Sequence, residues 1–209
     1  MVATKVDYTR TMRRLYRAHV HPELVEVPSM RFLMVDGHGD PKDTTTFAEA
    51  VEALYALSYA LKHRVKTHDG IDYEVMPMEG LWWIPNARVW DFSDKSDWDW
   101  TLMIMQPDPV SDDMVVEVRE EIAARKHLPA LERVHLGVFE EGLAAQILHR
   151  GSYTDERPTL ERLYAFVREE GYLPTGKHHE IYLTDPTETP IDRLRTIIRH
   201  AVCARSPAD

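Results

Sequence analysis

One order of hydrophobic patterns occurs twice along this chain, and it constrains the fold more than any single motif. A strand, a glycine-centred turn, an amphipathic helix and further strand describe residues 30 to 105 and again residues 142 to 184. His38-Gly39-Asp40 precedes the first helix as Arg150-Gly151-Ser152 precedes the second, and Leu54-Tyr55 and Leu163-Tyr164 fall at similar depths in them. The identity between the stretches is thin, so the repeat is one of topology. Alternation of period two mixed with helical spacing specifies an α+β fold. Two such halves predict a two-lobed domain with a groove at the pseudo-twofold, a natural place for a ligand.

The individual elements follow from spacing and punctuation. Tyr8, Met12, Leu15 and Tyr16 suggest a helix over 7 to 19, and Met30 to Val35 a strand. Phe47, Val51, Leu54, Leu57 and Leu61 recur at helical intervals over 44 to 65. Two strands, 71 to 76 and 79 to 84, come next, with direct pairing open to them and Pro77 marking a kink or an edge. Trp98 to Met105 alternates as a strand, and Ser111 caps a helix to about Lys126 with Asp112 and Asp113 in its first turn. Strands over 132 to 141 and 142 to 150 lead to a helix over 156 to 170 that stops at Gly171. After a strand over 178 to 183, Thr189-Pro190 is predicted to start a last helix with Ile191, Leu194, Ile197 and Ile198 as its apolar stripe. The expected organisation is one domain over 1–209, with halves at 30–105 and 132–209 and a linking helix at 106–131.

Composition narrows the partners. A formal charge of −10 and a pI near 5.5 disfavour nucleic acid, anionic membrane and strongly acidic substrates. Met1-Val2-Ala3-Thr4-Lys5 leads into charged sequence, and no stretch approaches membrane-spanning length, so the chain reads as cytoplasmic. Its one cysteine, Cys203, allows neither an internal disulfide nor a cysteine zinc site and reads as inert in the terminal helix. There is no phosphate-binding glycine loop, nucleophile elbow or EF-hand, and no cofactor is expected. All five tryptophans (Trp82, Trp83, Trp90, Trp98 and Trp100) fall between residues 82 and 100. That concentration of flat apolar rings implies a heavy local core or the walls of a pocket for a planar ligand.

The strand His178-His179-Glu180-Ile181-Tyr182-Leu183 carries the most pointed chemistry. Alternation puts Ile181 and Leu183 on one face and Glu180 with Tyr182 on the other. A buried carboxylate there needs a partner or a role. A metal reading of His178-His179-Glu180 fails at this level, because adjacent strand residues diverge and no third ligand is suitably spaced. Trp82 and Trp83, also adjacent, must point opposite ways.

Met76-Pro77-Met78-Glu79-Gly80-Leu81-Trp82-Trp83, Trp100-Thr101-Leu102-Met103-Ile104-Met105-Gln106-Pro107 and the Glu180 strand resemble the GyrI-like small-molecule-binding proteins, in particular their stand-alone branch. The resemblance runs from Asp7-Tyr8 through Phe32 to Gly37 and on to Leu194 to Arg199. It implies duplicated βαββ (SH2-like) units around a central hydrophobic pocket, with helices at both ends and Glu180 in that pocket. Relatives serve as effector-binding domains of multidrug-responsive regulators, as a gyrase inhibitor and as hydrolases opening the cyclopropane of DNA-alkylating compounds.

Two pocket readings follow. In one, Glu180 anchors a planar hydrophobic or cationic compound among Trp82, Trp83, Trp100, Tyr55, Met103, Tyr153 and Glu79, as in drug binding or detoxification. In the other, Glu180 activates water, its pKa raised by burial, and Tyr182 stabilises charge developing on the substrate. An inhibitor of the gyrase-directed type, acting through an acidic surface, is the third reading, and a homodimer is left open.

Overall fold

The computed structural model describes residues 3–42, 45–85 and 95–205. Trp90 and Asp94 lie outside the described residues. In chain order the elements are β1 (Thr4–Val6), α1 (Tyr8–Thr11), α2 (Arg13–Tyr16), β2 (Glu23–Val27), β3 (Met30–His38), α3 (Thr45–His68), β4 (Ile71–Tyr73) and β5 (Met78–Trp83). They continue with β6 (Asp99–Met105), α4 (Asp112–Ala123), β7 (His135–Phe139), β8 (Gly142–Arg150), α5 (Arg157–Glu169), β9 (Tyr172–Tyr182) and β10 (Arg195–Ala204). The mixed α+β class expected from the sequence is borne out.

The chain forms two compact units, one of residues 1–8 and 30–139, the other of 9–29 and 140–209. The first holds antiparallel strands in the order β5-β6-β3-β7, with β1 and β4 as a separate parallel pair. Its core is built on α3, whose Ala50, Ala53, Leu54, Leu57, Leu61 and Val65 are buried. Helix α4 packs on α3 and starts as its sequence demands, the Ser111 Oγ accepting from the Met114 amide at 3.1 Å. Strands β4 and β5 do not pair with each other: β4 runs with β1 and β5 with β6. Pro77 separates the two, and a proline withholds the donor a continuous ladder needs.

The second unit holds antiparallel strands in the order β2-β8-β10-β9. Leu160, Leu163 and Val167 of α5 pack with Ala145 and Ile147 of β8 and Ile198 and Val202 of β10. That buried stripe has the helical spacing of the sequence. Connectivity interleaves the units, since β2 precedes β3 in the chain but pairs with β8, while β7 precedes β8 but pairs with β3.

Three expectations are corrected here. The predicted helix over 7 to 19 is two short turns broken at Met12. Residues 131–133 form a 3-10 turn, so the strand expected from 132 starts at His135. Most consequentially, the expected C-terminal helix is the strand β10, preceded by a 3-10 turn at Ile191–Arg193. Thr196, Ile197 and Ile198 are consecutive β-branched residues that favour a pleated surface. All three are buried, at 1%, 0% and 0% exposure, on a strand covered on both faces. A run buried on both faces has no clean period of two, and its Leu194-Ile197-Ile198 spacing imitates a helix. Cys203 is exposed on that strand.

Candidate active site beside helix α5

The site begins with register. Glu180 pairs with Ile198 and Tyr182 with Thr196, so these side chains share one face of the second unit's sheet. Ile198 packs on α5, and that fixes the face as the helix-covered one. His178, two residues before Glu180, lies on it too. The ladder then breaks: Arg199 pairs with His179 but Ala201 with Thr175. Three residues of β9 thus oppose His200 alone, with Gly176 supplying the turn at φ 74°. A bulge re-aims side chains, and this one brings His178 opposite His200.

A continuous polar chain results. His178 Nε2 lies 2.9 Å from Glu180 Oε1 and 3.8 Å from Glu156 Oε2. Its other nitrogen, Nδ1, lies 3.0 Å from His200 Nε2, which is 3.2 Å from the Tyr164 hydroxyl of α5. Glu156, His178, Glu180 and His200 are 5%, 1%, 8% and 3% exposed. Burial, then the neighbouring His178 and His179, push the His200 pKa well below its ordinary value, so this imidazole is neutral. Burial pushes the Tyr164 phenol up to about 12, so it stays protonated. His200 and Tyr164 therefore enter this polar chain as neutral groups, each able to donate or accept a hydrogen bond.

Tyr182 and Tyr153 extend the site. Their rings meet edge to face with centroids 5.7 Å apart. Tyr153 sits in a 3-10 turn whose start is capped by Ser152, 3.2 Å from the Thr154 amide. Glu156 follows as the N-cap of α5 but makes no side-chain cap hydrogen bond. Its Oε2 atom lies towards His178 instead.

The opposite face of the same strands holds a second network. His179 Nδ1 lies 3.0 Å from Glu141 Oε2, and the Arg199 guanidinium is 3.5 Å from the same oxygen. Arg199 also donates to Gln146 Oε1, at 3.2 Å from Nε and 3.0 Å from the second terminal nitrogen, and to the Leu15 carbonyl. Burial alone would raise the Glu141 pKa, but His179 and Arg199 together hold it below the usual carboxylate value.

Sequence-derived residues of the first unit divide by face. Trp82 pairs with Trp100 across β5 and β6, and both rings meet Phe47 of α3, at 6.1 and 5.3 Å between centroids. Trp98 packs on Trp82 at 5.9 Å. Glu79, Met103 and Trp83 alternate onto the other face, with Glu79 opposite Met103. Glu79 and Met103 are fully buried and Trp83 is half-buried. Tyr55 stacks on the exposed Tyr59 at 6.2 Å. Within the second unit, Glu180, Tyr182 and Tyr153 come together as one group.

Reasoning from sequence missed Glu156 and His200 and dismissed a third metal ligand. The dismissal was sound for the adjacent pair His178 and His179, whose side chains diverge. It overlooked that His178 and Glu180 share a face and that Glu156 arrives from a helix start. One signal was available: glutamate in the N-cap place before Arg157-Pro158, where Ser, Thr, Asp or Asn is preferred.

Residues 21–201 match the family model of the GyrI-like small molecule binding domain. The chain belongs to the GyrI-like family. A conserved protein from Listeria innocua is 36% identical with a TM-score of 0.87, over 95% of this chain and 100% of its own. Two structures from the same organism described as hydrolases are 35% and 34% identical with TM-scores of 0.83 and 0.86, over 95% and 96% of this chain and 100% of theirs. The EcmrR C-terminal domain, at 13% identity and TM-score 0.55 over 88% of this chain and 98% of its own, shares the fold. No curated protein matches the sequence. No helix among the described residues of this GyrI-like chain is long and apolar enough to cross a membrane.

Proposed function

We propose that this GyrI-like protein hydrolyses planar, hydrophobic, electrophilic small molecules, with Glu180 activating the attacking water. The observation that carries this reading is the buried Glu180 carboxylate joined at 2.9 Å to the buried His178. A carboxylate held by an imidazole in a dry site can take a proton from water and has a neighbour able to share it. Tyr182 and Tyr153 offer flat apolar faces that would hold a planar substrate in attack geometry. The hydrolases from Listeria innocua, at 34% and 35% identity, support the same reaction class.

The substrate group that fits is an activated cyclopropane such as DNA-alkylating natural products carry. Water oxygen bonds to a ring carbon as the strained carbon–carbon bond breaks. The released electron pair moves onto the conjugated acceptor, which gains the proton that Glu180 removed from water. The Tyr182 hydroxyl stabilises the charge developing there.

A second reading is sequestration without turnover of a planar hydrophobic or cationic compound. The buried Glu79, opposite Met103 and on the same sheet face as Trp83, favours it, because a carboxylate and aromatic faces both attract cations. Trp82 and Trp100 lie on the other face of that sheet against Phe47, so they and Tyr55 are not counted among its walls.

Incubation with a cyclopropane-containing alkylator, read by mass spectrometry, decides between the readings. Hydrolysis gives a ring-opened product heavier by one water, and Glu180→Gln lowers its rate at least about 100-fold. Unchanged compound with the wild-type protein refutes this hydrolase activity. Full turnover by Glu180→Gln refutes the base assignment.

A further inference from the structure

His178 and Glu180 of β9 meet Glu156 from the start of α5, and one ligand atom from each lies within 4.8 Å of the other two. We propose that these three side chains form a binding site for a divalent transition-metal ion of the zinc class. One imidazole nitrogen and two carboxylates are a donor set suited to such an ion, whereas calcium and magnesium take all-oxygen shells.

Spacing agrees with this chemistry. Zinc bonds to nitrogen and oxygen are about 2.0–2.2 Å, which in tetrahedral geometry places neighbouring ligand atoms roughly 3.3–3.6 Å apart. The His178 Nε2 distances to Glu180 Oε1 and Glu156 Oε2, 2.9 and 3.8 Å, bracket that range. Small side-chain rotations suffice to close it. The three groups are at most 8% exposed, unlike a surface cluster of acids that water screens.

His178 is also braced as a metal ligand would be. A ligating imidazole offers one nitrogen to the ion and uses the other in a hydrogen bond that fixes its ring and tautomer. Here Nε2 lies by the two carboxylates, and Nδ1 lies 3.0 Å from His200 Nε2. The Tyr164 hydroxyl, 3.2 Å from that same His200 nitrogen, ties the brace to α5. The three ligands come from a strand and from the N-cap of a helix that packs on it, so the site is preformed rather than assembled from mobile loops. With three protein ligands, such an ion keeps positions open to water. The inference shares Glu180 and His178 with the hydrolytic reading, but metal uptake is measured without any substrate, so the two fail separately.

The test is cobalt(II) titration of protein stripped with a chelator and dialysed, followed through the visible absorption of cobalt in a low-coordinate site. One equivalent per chain, displaced by zinc, is the expected result. Glu156→Gln, Glu180→Gln and His178→Gln each weaken uptake at least about tenfold, and His200→Gln weakens it about 10- to 100-fold while leaving one site. His135→Gln, at an exposed histidine, leaves uptake unchanged. Circular dichroism and the thermal midpoint confirm that each variant is folded. The wild-type titration needs no variant and stands alone: no specific cobalt absorption overturns the proposal. Uptake unaltered in folded Glu156→Gln and Glu180→Gln overturns it as well, since the ion then sits elsewhere. Failure here with turnover of an alkylator intact would leave Glu180 acting as an unmetallated base.

Discussion

Gly37 provides a quantitative test of how tightly the tryptophan core is locked. It lies on β3 directly opposite Trp100 of β6, and the indole ring covers the place where a side chain would begin. A Cβ added at Gly37 would sit 2.1 Å from two atoms of that ring, whereas carbon atoms pack at about 3.5–4.0 Å. Trp100 must therefore move by more than an ångström. It is 0% exposed and meets Phe47 at 5.3 Å, so no empty side is open to it. Overpacking of this kind costs about 1–3 kcal/mol, and the entropy gained on replacing a strand glycine returns about 0.5–1 kcal/mol. An overlap of more than an ångström takes the upper overpacking figure, so Gly37→Ala should destabilise by about 2–2.5 kcal/mol and lower Tm by roughly 4–10 °C for a chain of this size. Gly137→Ala is the internal control. Its added Cβ would lie 2.8 Å from the Met34 sulfur, the far part of a flexible side chain that can swing aside, so its cost should stay below about 0.5 kcal/mol. Urea titrations followed by tryptophan fluorescence give both values. Equal stability of the two variants would refute the claim that the indole is fixed over Gly37.

Other consequences follow from the second unit. Arg199→Met removes the buried guanidinium beside Glu141 and should cost about 3–5 kcal/mol in urea unfolding; the added change Glu141→Gln should recover part of it. Glu141 has a folded-state pKa below its ordinary value of 4.5, so its stabilisation is complete above about pH 4.5 and is lost as pH falls through the lower folded value. The urea midpoint should therefore drop on acidification in that window, and Glu141→Gln should flatten the drop. A chain lacking residues 1–29 loses β2, the strand that covers β8, and should aggregate or fail to elute as a single species in size-exclusion chromatography.

What was legible in the sequence was whatever has a one-sided environment. Helix α5 buries one stripe and exposes the rest, so its period survives in the residue order. The Ser111 cap and the acidic first turn of α4 are local signals and appear as local structure. The face shared by Glu180 and Tyr182 follows from alternation alone. Strand β10 lacked such asymmetry, and reading it as a helix had a cost at the site. Arg199 and His200 then seemed to belong to a terminal helix, when each is at the centre of one buried network. Glu156 was hidden for another reason: a helix start is where a carboxylate is ordinarily explained by the backbone it caps.

The two networks explain why one face of β9 is suited to chemistry and the other to structure. On one side Glu141 faces Arg199, which cannot give up its proton under any working condition, so the guanidinium stays charged and holds Glu141 ionised above its lowered pKa. On the other side Glu180 faces His178, an imidazole, which unlike a guanidinium can both donate and accept a hydrogen bond. Strand alternation keeps these neighbours apart, although His178, His179 and Glu180 are consecutive. The bulge preserves that separation: β9 advances four residues from His179 to Thr175 while β10 advances two from Arg199 to Ala201. The difference is even, so residues before and after the bulge keep their faces. A one-residue insertion between Thr175 and Lys177 would break that parity. The segment before His178 would have to turn its side chains over, or His178 would leave His200. A loss of ligand turnover with Glu180 itself untouched would then trace to register alone, and a chemically silent insertion there would show that the His178–His200 contact is dispensable.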